Sequence, residues 1–356
     1  MKKVLKILLI ILIVLLMMAG AYVVYLLVDY DRIEDNQVLD VEQNTQAELT
    51  QGDVLKITSW NIGFGAYNSD FSFFMDGGTE GRARSGETVR DNIQFVIDFI
   101  SEQNADIMLF QEVDTDSTRS YHVNEAELIE DAFKERFSSE FAQNFDSGYF
   151  IVPIYQPHGK SQSGILTLSS ARIDAATRRS LPVEGGVRKF FDLDRCYTVN
   201  RIPVSDGHTL CLYNLHFSAY TSDGVIATQQ LQLLVDDMCS EYAAGNYVIA
   251  GGDFNKDVWG DSGAIMGVPG ENYSWAQPFP TELLPDELTL VDSLDPEHPV
   301  ASCRNTASAY VKGETYEVTL DAFIVSDNVE VRNCRVLDTG FKCTDHNPIA
   351  MEFVLK

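Results

Sequence analysis

From position 7 to position 28 the chain is apolar without a single charge, 22 residues in a row, with Lys2, Lys3 and Lys6 before it and Asp29, Asp31, Glu34 and Asp35 after it. About 20 apolar residues cross a bilayer core. Lysines on one flank and acids on the other orient the preceding end toward the cytoplasm. The pattern therefore predicts a cytoplasmic stub (1–6), an uncleaved single-pass anchor in the cell membrane (7–28) and a body held outside the cytoplasm. A cleaved signal peptide is the competing reading, with Ala19-Gly20-Ala21 as its small-residue site. Against it, residues 22–28 prolong the apolar run past that site, which a signal peptide does not require. Residues 29–52 are polar and acidic with no apolar period and read as a linker.

Beyond position 53 the pattern switches between two periods. Alternation over 54–60 predicts a half-buried strand, and Val89, Ile93, Val96, Ile97 and Ile100 predict an amphipathic helix over 86–103, followed by a short strand at 106–110. Helices are also expected at 125–137 and at 227–242, the latter with Leu231, Leu234, Val235 and Met238 on one face. Strands are expected at 149–152, 165–169, 196–204, 209–215, 247–250, 288–291, 321–325, 329–337 and 349–354. Helices between strands early and hairpins late predict an α/β domain over 53–356, two sheets covered by helices. Residues 256–286 form a Gly- and Pro-rich loop carrying Trp259, Tyr273, Trp275 and Phe279. A loop of that length in a compact domain is usually functional.

Hydrophobic residues at 45% and charged residues at 22% of 356 exclude a disordered, collagenous or coiled-coil protein. Charge narrows the partners. All 53 acidic residues lie after position 28 but only 23 of the 26 basic ones do, so the body carries a formal −30. Such a surface has no general footprint for nucleic acid, although a basic groove or bound divalent cations can reverse the field locally. All six cysteines (Cys196, Cys211, Cys239, Cys303, Cys334, Cys343) lie in the body, where disulfides and buried free thiols are equally open readings. Cys196 and Cys211 flank a turn at 205–208. With Ser205 opposite His208, however, they do not face each other. No C-x-x-C supports a thiolate metal site.

Six strand-end segments carry residues suited to a metal or a phosphate: Trp60-Asn61, Gln111-Glu112-Val113-Asp114, Asn214-Leu215-His216, Gly252-Asp253-Phe254-Asn255, Leu320-Asp321 and Thr344-Asp345-His346-Asn347-Pro348. One such end is usually a turn or a cap; six on neighbouring strands converge on one cleft. Arg119 and Tyr121, on the loop after Asp114, are candidate substrate contacts, and Arg82, Arg84 and Arg90 are a candidate phosphate cluster. His122, His158, His208 and His298 have no such context and read as surface residues. No G-x-S-x-G occurs, and Gly159-Lys160-Ser161 lacks the first glycine of a P-loop, whose place Ile154 holds.

This ordered set resembles the endonuclease/exonuclease/phosphatase superfamily, which includes pancreatic-type DNases, apurinic endonucleases, bacterial sphingomyelinases and inositol-polyphosphate 5-phosphatases. The segments at Asn61, Glu112, His216 and Asp253 look like its successive motifs, and Asp345-His346-x-Pro348 resembles its S-D-H-x-P with Thr344 in place of Ser. The resemblance runs from about 54 to 354. It implies the DNase I-like four-layer sandwich and a Mg²⁺ (or Mn²⁺) site. Glu112 would hold the cation, with Asn61 and Asp345 helping, since oxygen ligands suit Mg²⁺. His346 oriented by Asp321 would be an imidazole of raised basicity, and Asp253 would orient or deprotonate the attacking water. Asn255 and His216 would donate hydrogen bonds to the phosphoryl oxygens, and Asp114 would support the ligands from behind. Either Asp253 or His346 can be the base at this level.

The chain thus reads as a membrane-anchored, extracytoplasmic, Mg²⁺-dependent phosphoester hydrolase using direct water attack. Tethering and the aromatic loop favour a phospholipid head group as substrate. An extracellular nuclease is the alternative, and a catalytically silent binding module a third reading. No protein partner is indicated.

Overall fold

A computed structural model describes residues 2–30, 32–186, 189–192, 194–219, 225–268 and 276–356. Two seven-stranded mixed sheets pack face to face. The first runs β1 (Gln37–Val38), β7 (Ala175–Ser180), β8 (Cys196–Pro203), β9 (Thr209–His216), β10 (Tyr247–Asp253), β14 (Asp321–Ser326), β11 (Leu288–Leu290). The second runs β15 (Val329–Val336), β16 (Ile349–Leu355), β3 (Leu55–Asn61), β4 (Ile107–Asp114), β6 (Gly159–Ser169), β5 (Ser138–Phe150), β2 (Val41–Glu42). A two-stranded ribbon joins β12 (Cys303–Arg304) to β13 (Glu317–Val318). Helices α2 (Gly86–Gln103) and α3 (Glu125–Phe133) cover one outer face and α5 (Val225–Ala243) the other; α4 (Lys189–Asp192) and α6 (Ser262–Ile265) are single turns. The four-layer sandwich expected from the period switching is the observed fold.

Each layer is an apolar seam that the sequence pattern announced. Between the sheets lie Ile57, Leu109, Ile249, Phe323 and Met351. Under α2 the helix buries Val89, Ile93, Val96 and Ile100 against Trp60, Phe110 and Leu166. The Ser85 hydroxyl caps its start by accepting from the Thr88 N–H at 3.0 Å, and Asn104 ends it in a left-handed turn. Leu231, Leu234, Val235 and Met238 pack α5 onto Tyr213 and Val248. Helix α1 (Lys2–Asp29) is long and apolar enough to cross a membrane and buries none of its residues.

Three expectations are corrected. The segment 29–52 is no free linker: β1 and β2 extend one edge of each sheet, Leu49 is buried and bridges Val204, and Arg32 Nε sits 3.2 Å from Asp194. Open sheet edges supply unpaired peptide groups, so a polar segment can dock there without an apolar period of its own. Helix α3 stops at Phe133, and β5 runs for 13 residues rather than four. Its buried positions include Ser138, Glu140 and Asn144, whose polarity masks the alternation. Strand β7 was not expected at all, for a similar reason: Arg178 is fully buried and donates to the carbonyls of Gln143 and Asp194.

All six cysteines are free. The turn between β8 and β9 is one residue longer than expected, with Pro203 opposite Thr209, so Cys211 faces Arg201 and Cys196 faces Ser180 on β7. Burial pushes the thiols of Cys196, Cys211, Cys303, Cys334 and Cys343 up to about 12, which leaves them unreactive.

The sheets are also joined through polar side chains. Asn200 Nδ2 on β8 donates to Glu140 Oε2 at 3.2 Å across the gap, while Glu140 Oε1 is buried without a hydrogen-bond partner among the described residues. Burial pushes the Glu140 carboxyl up to about 8. The native state therefore keeps a proton that the unfolded chain releases above about pH 4.5, so stability is full below that pH and declines up to about pH 8. Glu140→Gln is expected to remove this decline and to raise Tm at pH 8 by about 5 °C. Thermal melts of both proteins from pH 5 to pH 8 check it; parallel pH curves would show that Glu140 is ionised in the native state.

Candidate active site

Register brings the expected residues to one end of the sandwich. Strands β3 and β4 run parallel with Asn61 beside Gln111; β9 and β10 run parallel with His216 beside Asp253; β14 returns antiparallel so that Asp321 faces Asp253. Two local devices finish the placement. At Glu112 the β4–β6 ladder slips, with Phe110 opposite Leu166 and Val113 opposite Gly164, and Glu112 has φ +54°. This bulge re-aims one side chain, and its strained backbone is of the kind retained at functional sites. At Gly252, φ is +146° and a Cβ would meet the Leu215 carbonyl oxygen at 2.0 Å, so only glycine lets β10 lie this close to β9 just before Asp253.

His346 is held from three sides. Its Nδ1 pairs with Asp321 Oδ2 at 2.8 Å, its carbonyl accepts from Trp60 Nε1 at 2.8 Å, and its N–H donates to Thr344 Oγ1 at 3.2 Å. The Thr344 hydroxyl donates in turn to the Asn61 carbonyl at 3.0 Å, so threonine does the bracing expected of serine. Asp321 Oδ2 also accepts from Ser302 Oγ at 2.7 Å. His346 Nε2 points toward Asp253 Oδ2, 3.8 Å away, and His216 Nε2 lies 3.6 Å from the same oxygen. Burial opposes a charge on His346, but the Cys303 sulfur and the Asp321 carboxylate beside it prevail and hold the imidazole well above its usual range. For His216, burial together with Arg195, His346 and Arg119 has the opposite result, and the ring stays neutral.

The acidic groups are crowded. Burial raises Asp253 to about 7, with Asp321 adding to the shift and His346 opposing it. Burial also raises Asp345 to about 6, and the neighbouring Glu112 carboxylate pushes it further in that direction while His346 resists. Burial and neighbouring carboxylates make Asp345 and Asp253 reluctant to ionise, and with Glu112 beside them they form a hard oxygen set that a cation such as Mg²⁺ relieves, so the donors present fit one. Asn61 fits that set differently from expectation. Its Oδ1 accepts from the Gly63 N–H at 3.0 Å, so its Nδ2 donates to Glu112 Oε1 and Asp253 Oδ2, both at 3.1 Å. It ties two carboxylates together instead of offering oxygen to a cation.

The other expected residues separate. Asn255 lines the cleft with Nδ2 donating to the Phe217 carbonyl at 2.8 Å and one N–H to spare. Asp114 is fully buried and gripped by Arg119 Nε and Nη2 at 3.0 and 2.7 Å. Arg119 reaches the cleft, but its charge is committed to Asp114 and its plane lies over the Phe64 ring. Tyr121 does not line the cleft: its hydroxyl donates to the Arg84 carbonyl on the outside. Neither do Arg82, Arg84 and Arg90; Arg84 is spent on Asp70 and Glu80.

Several residues that the sequence did not single out do line it, in a cavity of about 540 Å³. Among the described residues its cations are Arg119, Arg195 and Arg304. Arg304 is buried and donates from Nη2 to the Asn68 carbonyl at 3.0 Å, with Nε lacking a hydrogen-bond partner among the described residues. His158, expected at the surface, is buried in the wall with Nδ1 against the Gly81 carbonyl at 2.7 Å, and burial lowers it to about 4. No motif marks these positions, because they come from loops and a two-residue strand that only the fold assembles. Of the loop aromatics, Phe279 packs into the core on Phe254, Trp259 Nε1 lies 3.3 Å from Ser293 Oγ, and Tyr273 and Trp275 lie outside the described residues. The loop therefore offers no aromatic platform among the described residues.

Comparison with known proteins agrees with this fold. No curated protein matches the chain. Among solved structures, an endonuclease/exonuclease/phosphatase from Beutenbergia cavernae is 16% identical with TM-score 0.58, covering 85% of this chain and 72% of that one. ANGEL2, a 2′,3′-cyclic phosphatase, is 16% identical with TM-score 0.55 over 90% and 98%. The human Nocturnin catalytic domain with bound sulfate is 15% identical with TM-score 0.53 over 89% and 98%. The sequence profile of the Endonuclease/Exonuclease/phosphatase family matches residues 58–346, the whole span from β3 to His346. The chain belongs to that family of phosphoester hydrolases.

Proposed function

We propose that the protein is a Mg²⁺-dependent phosphoester hydrolase, tethered by α1 with its catalytic domain outside the cytoplasm, in which water attacks phosphorus directly. The observation that carries this reading is the line Asp321–His346–Asp253, at 2.8 and 3.8 Å, in the wall of the cavity. A water between His346 Nε2 and Asp253 Oδ2 gives its proton to that pair, which carries one proton on the imidazole and can take a second on the carboxylate, and Asp321 fixes the tilt of the ring. The water oxygen forms a new bond to phosphorus, the bond to the leaving oxygen breaks, and that oxygen leaves with a proton. Neutral His216 and the free N–H of Asn255 donate to the phosphoryl oxygens, and Arg195 and Arg304 add positive potential around them. Glu112 and Asp345 would hold the cation, which when bound acts as a Lewis acid on the phosphoryl group.

Apolar α1 and the acids after it support membrane tethering with the domain outside. A second reading, a nucleotide or nucleic-acid ester as substrate, has support from ANGEL2, which has been solved with adenosine-2′,3′-vanadate. The full-length protein in detergent, offered sphingomyelin, inositol phosphates, plasmid DNA and RNA with Mg²⁺ or EDTA, tests both. Mg²⁺-dependent cleavage of one class is expected; a folded protein silent on every substrate would overturn the enzymatic reading.

A further inference from the structure

The cavity has a second end that the chemistry above does not use. Its wall there includes Phe150, Val152 and Tyr22, the last of these on α1 itself. Helix and domain meet closely. The Tyr22 hydroxyl donates to the Tyr149 carbonyl at 3.0 Å and accepts from the Ile151 N–H at 3.4 Å, while the Tyr149 N–H donates to Tyr25 Oη at 2.9 Å. A Cβ on Gly148 would sit 2.8 Å from Asp29 Oδ2 and 3.3 Å from Leu26 Cδ2, which places residue 148 against the end of the helix. The end of β5 therefore runs back along the helix, from the level of Asp29 at residue 148 to the level of Tyr22 at residue 151.

That direction has a consequence for depth. Tyr22 lies seven residues before Asp29, about 10 Å along the axis. The uncharged run 7–28 is about 33 Å long, close to the roughly 30 Å of a bilayer core, whereas 7–21 alone reaches only about 22 Å. A spanning α1 needs residues 22–28 within the membrane, which takes residues 149–155 down with them. Their composition suits that place: Ile151, Val152, Ile154 and Tyr155 are 44%, 52%, 84% and 72% exposed, a contiguous apolar tip. It is braced, with the Gly81 N–H donating to Gln156 Oε1 at 3.0 Å and the Tyr155 hydroxyl to the Thr79 carbonyl. An apolar tip of this kind in water is a liability, and beside a membrane helix with two tyrosines at its outer end it is an interfacial anchor.

We propose that residues 151–155 insert into the outer leaflet beside α1, that the cavity opens to that leaflet between Tyr22 and Val152, and that the substrate is a lipid phosphoester drawn from the bilayer. Its phosphate reaches His346 and Asp253 while its apolar part stays along Phe150, Val152 and Tyr22. This rests on the hydrolase reading and deepens it by naming the substrate class.

Full-length protein in vesicles tests the two parts separately. Ile154→Trp, in vesicles of phosphatidylcholine brominated in its acyl chains, is expected to lose at least half of its added fluorescence; Lys312→Trp, at an exposed position, is expected to lose none. Equal, weak quenching of both overturns the insertion. In vesicles of phosphatidylcholine, phosphatidylethanolamine, phosphatidylglycerol and sphingomyelin, phosphorus NMR is expected to show release of a head-group phosphoester with Mg²⁺. Ile154→Asp is expected to slow this release at least tenfold while leaving hydrolysis of water-soluble bis(4-nitrophenyl) phosphate unchanged. Hydrolysis of the soluble ester with every lipid intact overturns the lipid assignment and keeps the hydrolase. Quenching at Ile154→Trp with no hydrolysis of either substrate keeps the insertion and overturns the hydrolase.

Discussion

His346→Ala is expected to lower kcat by about 10³-fold or more with little change in KM, because in the proposed mechanism the imidazole acts on the water and not on the bound ester. The side chain is buried at the cavity wall, and the backbone contacts that hold it, Trp60 Nε1 to its carbonyl and its N–H to Thr344, survive the substitution. Fold and cation binding should therefore persist, and the Mg²⁺-induced rise in Tm should match the parent protein. Asp321→Asn gives the companion result. It keeps the volume and the hydrogen bond from Ser302 but can present an N–H to Nδ1, which selects the wrong tautomer; about a 10²-fold loss is expected. Steady-state kinetics on the substrate found active in the panel check both. Full activity in His346→Ala would remove the imidazole from the mechanism and leave Asp253 as the sole base.

Glu112→Gln is expected to abolish the response to Mg²⁺ in both activity and stability. A ligand that binds only the folded state at about a hundred times its Kd adds about 2.7 kcal/mol, or about 5 °C in Tm. The variant should lose most of that shift and at least about 10²-fold in activity. Without cation it should melt slightly higher than the parent, because Glu112 is one of the charges that hinder ionisation of the buried Asp345. The strained backbone of Glu112, at φ +54°, is untouched by a side-chain amide. Differential scanning fluorimetry with and without Mg²⁺ is sufficient; an unchanged shift would place the cation away from Glu112.

Much of the candidate site was legible because it is made of strand ends. An apolar strand ending in a polar residue announces itself at Asn61, His216 and Asp253, and one opening with a polar residue at Asp321; parallel and antiparallel neighbours bring such ends together. What the residues do there was less legible. Asn61 was expected to offer an oxygen and offers a nitrogen, because the nearby Gly63 N–H claims Oδ1. Arg119 was expected to meet substrate, but the buried Asp114 carboxylate five residues back needs a partner and takes it. Tyr121 and Arg84 turn outward onto each other. His158 gave no signal, since its partner is the carbonyl of Gly81, 77 residues earlier.

The sequence by itself determined the number of layers, the faces that are buried, the family and the reaction class. Periodicity reports which side of an element meets apolar neighbours, and short polar strand ends report where chemistry is concentrated. Tertiary structure alone decided the docking of residues 29–52 on the sheet edges, the buried polar strand β5, the arginines of the cavity and the meeting of Tyr22 with Ile151. Those features rest largely on hydrogen bonds and ion pairs between residues distant along the chain, 60 positions for Asn200 and Glu140, 129 for Ile151 and Tyr22 and 236 for Arg304 and Asn68, and their strength depends on burial and geometry that no local pattern of side chains encodes.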